Sequence, residues 1–239
     1  MAPAPKRLLD LALALPAVAA SAPLVLALAA LVRATSPGPA FYVQTRVGRG
    51  RRPLRLFKLR SMRVDADRQG PHVTAAGDPR ITRVGAFLRR TKLDELPQLW
   101  NVIRGDMSLV GPRPEAERYV AQYRPEWLAL LAVRPGITDL ASLVFRDEEA
   151  LLAGAHDRER AYVEAVLPAK LKLALEGVAR SSWRFDLEIL LRTVAVVVRP
   201  GAGLPPGAAQ AIGQAAAAIE RLNRAVRPTP STPSTQRSA

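Results

Sequence analysis

Two adjacent acids beside a run of cations form the part of this sequence most able to do chemistry. Asp94 and Glu95 follow closely on Arg89, Arg90 and Lys92. Carboxylates among several cations are typical of a site where a metal ion and a phosphate group meet. A carboxylate can also attack phosphorus and form an acyl phosphate that a second substrate displaces. The pattern therefore indicates phosphoryl transfer.

The same two acids also have a purely structural interpretation. Adjacent residues on a helix point about 100° apart, so Asp94 and Glu95 cannot share one task symmetrically. Asp94 could cap a helix and Glu95 could interact with its dipole in the first turn. Spacing alone leaves both interpretations open.

A stiff turn at residues 111–114 presents one guanidinium, that of Arg113, between two prolines. A cation fixed in this way suits bidentate phosphate recognition. The alternative is a connecting turn in which Arg113 pairs with Asp106. Arg146, which follows another turn at 133–138, is a further candidate phosphate contact.

Composition limits the classes of partner and of metal site. The 239 residues include 35 Lys and Arg against 21 Asp and Glu, a net charge of +14, which implies an anionic partner. Aromatic residues are only 5%, which is low for a protein that stacks on unpaired bases. The absence of cysteine excludes disulfides and thiolate chemistry, and His72 and His156 are too few for a histidine-rich centre. An oxygen-liganded cation such as Mg²⁺ remains open.

Residues 11–32 carry no charge, which indicates contact with a membrane. As a straight helix, this segment would reach about 33 Å and could cross the hydrocarbon. However, Pro16 and Pro23 bend a helix. Cations flank both sides: Lys6 and Arg7 before the segment, and Arg33, Arg46, Arg49, Arg51 and Arg52 after it. Because the positive-inside tendency places both flanks in the cytoplasm, we predict a re-entrant helix over a single-pass anchor.

The periodicity of the remaining chain predicts mainly helix with a small antiparallel β element. The strands are predicted at 41–47 and 54–59, with a further strand edge at 143–145. The predicted helices cover residues 78–90, 93–103, 115–132, 147–153, 157–180, 186–198 and 208–226. Asp78 is expected to cap the first of them, and Trp100 to face the core. Residues 65–77 and 200–207 are predicted as loops, and 229–239 as a disordered tail.

The ordered motifs between Lys6 and about Arg199 resemble those of the bacterial sugar transferases, the small monotopic polyprenyl-phosphate phosphoglycosyl transferases. They are Lys6-Arg7 with Asp10, FKLRSM at 57–62, Asp78-Pro79-Arg80, LDELPQLWNV at 93–102, GDMSLVGPRP at 105–114 and RPGIT at 134–138. The resemblance implies transfer of sugar-1-phosphate from a nucleoside-diphosphate sugar, with UDP expected as the nucleotide, to undecaprenyl phosphate. Such a step starts exopolysaccharide, O-antigen (lipopolysaccharide) or glycoprotein glycan assembly.

The resemblance also implies roles for individual residues. Asp94 would be the nucleophile that forms a covalent phosphosugar intermediate, and Glu95 would help it to bind Mg²⁺. The cations that would face the phosphates or nucleotide are Arg89, Arg113, Arg146, Lys58 and Arg60. Lys6, Arg7 and Pro23 would form the membrane element.

The implied organisation has three parts. Residues 1–35 form a re-entrant membrane helix, 36–200 a compact catalytic domain on the cytoplasmic face of the bacterial inner membrane, and 201–239 an Ala-rich helix with a disordered tail. Two departures stand out: Ala22-Pro23 where many relatives have Ser-Pro, and Asp139 to Phe145 where many have Gly-Trp-Ala-Gln-Val-Asn-Gly. Because the second surrounds Arg146, sugar and nucleotide identity are not carried over.

Two other functions remain open. The chain could be a membrane-tethered basic module that binds nucleic acid or acidic protein, or a scaffold without catalysis. The complete set of Asp94, Glu95, Arg89 and Arg113 argues against a degenerate enzyme. We therefore expect a transferase whose partners are a nucleotide sugar, undecaprenyl phosphate and membrane lipid, but not nucleic acid.

Overall fold

The structure is a computed structural model that describes residues 4–66, 73–199 and 202–226. The helices are α1 Ala4–Thr35, α2 Arg83–Thr91, α3 Gln98–Arg104, α4 Glu117–Val120, α5 Leu140–Val144, α6 Glu148–Ala153, α7 Arg158–Ala161, α8 Leu167–Ala179, α9 Trp183–Val198 and α10 Ala208–Val226. The strands are β1 Phe41–Val47, β2 Pro53–Leu59, β3 Ser108–Val110 and β4 Gly136–Thr138. Short 3-10 segments lie at Arg49–Arg51, Leu93–Glu95 and Pro125–Ala132. The mainly helical fold class with a small antiparallel element is confirmed.

The apolar N-terminal segment is one long helix, α1, which contains both Pro16 and Pro23. Its first turns are bound to the rest of the chain: the Arg7 guanidinium donates to the Val102 and Ile103 carbonyls at 2.6 and 2.9 Å. Lys6 also forms an ion pair with Asp186. The start of α1 is therefore anchored to α3 and α9.

A buried carboxylate and an apolar cluster fix α1 at two further points. Asp10 accepts hydrogen bonds from the Ser108 hydroxyl at 2.9 Å and from the Leu109 amide at 3.0 Å. Near the other end, Leu28, Ala29 and Val32 pack in a cluster with Leu59 and Leu88. Both ends of α1 thus contact the same domain, whereas apolar side chains between them, such as that of Leu26, are exposed.

The predicted β1–β2 hairpin is confirmed, with an antiparallel register that runs from Phe41↔Leu59 to Val47↔Pro53. A second, parallel pair was not predicted: Ser108 lies opposite Gly136, and Val110 opposite Thr138. Three-residue strands are too short to give an alternating pattern, so the sequence contains no local signal for them.

Residues 143–145 do not form the predicted strand edge, because this apolar run belongs to α5 and its C-terminal end. Asp139 begins α5, since its side chain accepts a hydrogen bond from the Ser142 amide at 2.7 Å. The predicted capping role of Asp78 is also wrong. α2 begins at Arg83, where Thr82 accepts from the Gly85 amide at 2.9 Å, while Asp78 is buried in an ion pair with Arg80.

Two predicted helices are broken into shorter pieces. Residues 93–103 form a 3-10 turn and then α3, with Pro97 at the junction. Residues 115–132 form α4 and a separate 3-10 segment. Trp100 does not face the core as predicted; it is 52% exposed.

The C-terminal half is helical as predicted. Residues 157–180 comprise α7, a π-helical turn at Tyr162–Val166 and α8, while α9 begins at Trp183 after the Ser182 cap. The predicted tail at 229–239 and the centre of the loop predicted at 65–77 lie outside the described residues.

The helix predicted at 208–226 is confirmed as α10, which packs on the domain. Ala215 and Ile219 belong to the largest hydrophobic cluster. The Asn223 side chain donates to the Gly154 carbonyl at 2.9 Å and accepts from the His156 amide at 3.0 Å. These contacts attach α10 to the loop after α6.

Candidate active site

Asp94 and Glu95 lie in the tight turn that joins α2 to α3. Lys92 ends α2 in the left-handed conformation, with φ of 58°, and its amide donates to the Leu88 and Arg89 carbonyls. The Leu93–Glu95 turn follows at once. The two acids are therefore positioned by a sharp change of chain direction, and the capping interpretation does not describe them.

Asp94 is a buried carboxylate with one unsatisfied oxygen. It is 5% exposed, and its Oδ1 atom has no hydrogen-bond partner among the described residues. Burial, reinforced by the charge of Glu95, raises the pKa of Asp94, while the positive charges of Lys58, Arg89 and Lys92 oppose this rise. A buried oxygen without a partner, with cations close by, is available to an electrophile or a metal ion.

Glu95 differs from its neighbour because cations occupy both of its oxygens. Arg113 binds the carboxylate with both terminal nitrogens, one contact being 3.1 Å, and Lys58 Nζ lies 3.5 Å from Oε1. Although burial alone would raise it, the pKa of Glu95 lies well below its usual range because of Arg113 and Lys58. The pKa of Arg113 is raised by Glu95.

The structure also settles which acid pairs with Arg113. Arg113 binds Glu95, whereas Asp106 pairs with Arg104 at 3.2 Å. Lys58 is affected most by burial, which lowers its pKa to about 8 despite the opposing charge of Glu95. Predicted site residues from β2, the α2–α3 turn and the turn after β3 thus meet in one ionic cluster.

The parallel β3–β4 pair places Arg113. The Gly111 amide donates to the Thr138 carbonyl and the Gly136 amide to the Pro112 carbonyl, both at 3.0 Å. A Cβ atom on Gly136 would lie 2.1 Å from the Gly111 nitrogen, so the two turns can approach only because glycine stands there. The backbone just before Arg113 is therefore held against β4.

Asn101, which the sequence analysis did not single out, holds the Lys58 strand against α3. Its side chain donates to the Arg55 carbonyl at 2.7 Å and accepts from the Phe57 amide at 3.2 Å. It is fully buried. A polar residue within a predicted apolar helix was the signal that could have revealed it.

A second buried network supports the chain just after Arg113. Glu115 accepts from the Tyr162 hydroxyl at 2.7 Å and from Lys170 at 3.3 Å, and it lies 3.5 Å from Arg46. The cations Lys170 and Arg46 keep the pKa of Glu115 low although burial would raise it. Sequence reasoning missed this network, since its members come from three segments that are distant along the chain.

The other predicted substrate contacts occupy different positions. Arg89 pairs with Glu149 of α6, and its charge still acts on Asp94. Arg60 donates to the Ser36 carbonyl at 2.8 Å and to the Pro37 carbonyl, which ties β2 to the end of α1. Arg146 donates to the Val196 carbonyl in α9. The substrate-binding roles of these arginines stay predictions.

The predicted magnesium site requires carboxylate oxygens that are free to bind a metal ion. Among the described residues no group of three acidic or histidine side chains could hold a metal. Asp94 offers an unpartnered oxygen, whereas the Glu95 oxygens already accept from cations. Asp94 thus offers one free oxygen, which suits Mg²⁺ because this ion can take one or two carboxylates and complete its shell with water and substrate phosphates. Binding of Mg²⁺ by Asp94 and Glu95 together stays a prediction.

Comparison with known proteins agrees with the sequence motifs. The sequence profile of the family described as "Bacterial sugar transferase" matches residues 1–200. The chain is 43% identical over 195 residues to the UDP-glucose:undecaprenyl-phosphate glucose-1-phosphate transferase of Caulobacter vibrioides, covering 79% of this chain and 68% of that protein.

Two further relatives differ in length and in the activity that their names give. The exopolysaccharide production protein PSS of Rhizobium leguminosarum bv. phaseoli is 39% identical over 83% of this chain and 97% of its own length. The UDP-N-acetylgalactosamine-undecaprenyl-phosphate N-acetylgalactosaminephosphotransferase of Aeromonas hydrophila is 44% identical over 58% of this chain, but only 34% of its own length. The match over residues 1–200 shows that this chain belongs to the bacterial sugar transferase family, a family of transferase enzymes.

Proposed function

We propose that this protein transfers sugar-1-phosphate from a UDP sugar to undecaprenyl phosphate through a covalent intermediate on Asp94. The observation that carries the proposal is the contrast between the two adjacent acids. Asp94 has a buried, unpartnered oxygen, while Glu95 is held by Arg113 and Lys58. A nucleophile with a free oxygen beside a fixed charged frame is what displacement at phosphorus requires.

In the first step, an Asp94 oxygen attacks the phosphorus that carries the sugar. A bond forms between that oxygen and phosphorus, the bridging phosphorus–oxygen bond breaks, and UMP leaves with the bonding electrons. In the second step, an oxygen of undecaprenyl phosphate attacks the same phosphorus and displaces Asp94. The product is a lipid diphosphate sugar, and the carboxylate is regenerated.

The cations would neutralise negative charge and would not transfer protons. Lys58, Arg89 and Arg113 surround the carboxylates and would neutralise phosphate oxygens in both steps. Mg²⁺ held by Asp94 and Glu95 would supply further charge neutralisation when bound. The names of the relatives support undecaprenyl phosphate as acceptor, but they give both glucose and N-acetylgalactosamine, so the sugar is not assigned.

We further propose that α1 enters and leaves the same cytoplasmic leaflet of the inner membrane. Within the span Pro5–Thr35, an 18-residue window has a mean hydropathy of 2.2. Both of its ends contact the catalytic domain, an arrangement that a crossing helix would not favour. Exposed apolar side chains on one face of α9 extend the apolar surface: Trp183, Leu187, Leu191, Val194 and Val198. In this location the enzyme would start assembly of a surface glycan.

The first test is UMP release from a panel of UDP sugars in detergent, with undecaprenyl phosphate and Mg²⁺, for wild type and Asp94→Asn. We expect release by wild type and at least a roughly 10³-fold loss in the variant, because an amide oxygen is a poor nucleophile. Mixing enzyme and labelled UDP sugar without acceptor should label wild type alone. Equal turnover by the two proteins would remove Asp94 from the mechanism, and a folded wild type inactive with every donor would favour the scaffold function.

A further inference from the structure

The tip of the β1–β2 hairpin carries cations that no acid compensates. Arg49 begins its 3-10 turn and Arg52 follows the turn, while Arg134 lies just before β4. In the part of the chain that the structure describes, none of these three guanidinium groups forms an ion pair with a carboxylate. Most other basic side chains near the catalytic acids do have such a partner.

Two of these cations line a concave surface. Arg49, Gly50, Arg52 and Ala132 line an open depression of about 270 Å³. Arg134 lies two residues beyond Ala132; burial, together with the charges of Arg7 and Arg49, lowers the pKa of Arg134, and the charge of Asp10 opposes this shift. An anion bound beside Arg49 and Arg52 would relieve the repulsion between these like charges.

The backbone at the hairpin tip has an unusual conformation. Gly50 and Arg51 are both left-handed, with φ of 66° and 61°. This conformation disfavours a side chain, yet position 51 holds an arginine. A Cβ atom at Gly50 would meet nothing within 4 Å, so the tip is open to a ligand.

We propose that this depression binds the phosphate of an anionic phospholipid. Ala132, which lines the depression, lies three residues before Pro135, whose carbonyl accepts from the Ser108 amide at 2.9 Å. Ser108 also donates to Asp10 in the first turns of α1, so this segment lies close to the base of the apolar helix. Phospholipid phosphates lie at that level if α1 is in the membrane, so this inference rests on the proposed membrane location. Guanidinium groups bind phosphate bidentately and gain affinity near anionic lipid. Because no aromatic side chain lines the depression, stacking on a nucleic acid base is not supported.

The bound lipid would hold the hairpin against the membrane at a point distinct from the catalytic acids. β2 runs from this tip to Lys58, so the strand that bears a catalytic-site cation would be fixed at the membrane surface. The lipid would contribute to orientation of the domain and not to the phosphoryl transfer itself.

The test is a calorimetric titration of the full chain, in neutral detergent, with short-chain phosphatidylglycerol or phosphatidylcholine. We expect the R49Q/R52Q variant to bind phosphatidylglycerol roughly 25-fold more weakly, from about fivefold for each arginine. R221Q/R224Q, which removes the same charge from exposed positions on α10, should bind within twofold of wild type. Phosphatidylcholine should bind weakly to all three.

Three results would overturn the proposal: equal binding of phosphatidylglycerol by R49Q/R52Q and wild type, inorganic phosphate binding as tightly as the lipid, or tighter arginine-dependent binding of single-stranded RNA. UMP release is measured on the same samples. Lipid binding without UMP release from wild type would count against the proposed function alone, whereas release without lipid binding would count against this inference alone.

Discussion

The cations around Asp94 and those at the hairpin tip are in opposite electrostatic environments. Around Asp94, Lys58 and Arg113 bind Glu95, and Arg89 binds Glu149. At the tip, Arg49 and Arg52 have no acidic partner among the described residues. Paired cations are ordered before a substrate arrives, whereas unpaired ones are ordered by the anion that they bind. Net charge alone does not distinguish these two kinds of basic surface.

The largest effect is expected when the pairing around Asp94 is broken. Glu95→Gln removes the charge that holds Arg113 and Lys58, so we expect kcat/KM for UMP release to fall by about 10²- to 10³-fold. Glu176→Gln, which removes the exposed partner of Arg180, should change it by less than twofold. Activity of Glu95→Gln within tenfold of wild type would mean that the pairing is not needed.

The charge of Lys58 gives a pH dependence. Burial lowers its pKa to about 8, so Lys58 is charged below that pH and neutral above it. If its charge is needed, kcat/KM should fall as pH rises beyond about 8, and the decrease should approach about tenfold for each pH unit. Lys58→Arg stays charged, and its alkaline limb should move to higher pH. An unchanged limb in this variant would assign the titration to another group.

The scaffold under the paired region can be tested separately. Asn101→Leu would leave the buried Arg55 carbonyl and Phe57 amide unpaired, and we expect the free energy of unfolding to fall by roughly 1–3 kcal/mol. Denaturant unfolding measures this loss. Asn223→Leu removes two similar bonds at a half-buried position, where both bonds lie near solvent, and should cost less. Equal losses of unfolding free energy in the two variants would show that burial does not determine the cost of removing these hydrogen bonds.

The smallest effect is expected at the tip. Substitution of Arg49 and Arg52 removes no ion pair between described residues. R49Q/R52Q should therefore melt within about 2 °C of wild type and keep its kcat in detergent. Thermal melting and UMP release check this. A fall of several degrees would reveal a structural partner for these arginines and remove the contrast between the two regions.

Local sequence signals predicted the hairpin, most helices and the acids of the site. They failed where contacts between distant parts of the chain determine the local structure. The three-residue strands β3 and β4 exist because two distant turns meet. Thr82 rather than Asp78 caps α2, and Asp78 is engaged by Arg80. Trp100 was assigned to the core by helical periodicity, but α3 is short and that side is exposed.

The sequence predicted which residues form the site, but not how they are paired. The adjacency of Asp94 and Glu95 identified the acids, yet which one is paired depends on Arg113, 18 residues later, and on Lys58, 37 residues earlier. No local pattern contains that information.

The anchoring of α1 also affects the order in which the protein can be made. Lys6 pairs with Asp186, 180 residues later, and Asp10 is bound by residues 98 and 99 positions away. At roughly 5–20 residues per second, translation leaves an interval of roughly 10–40 s between the synthesis of Lys6 and that of its partner. The apolar helix thus leaves the ribosome before the residues that anchor its start have been made, which gives it time to enter a bilayer before the domain closes around its ends.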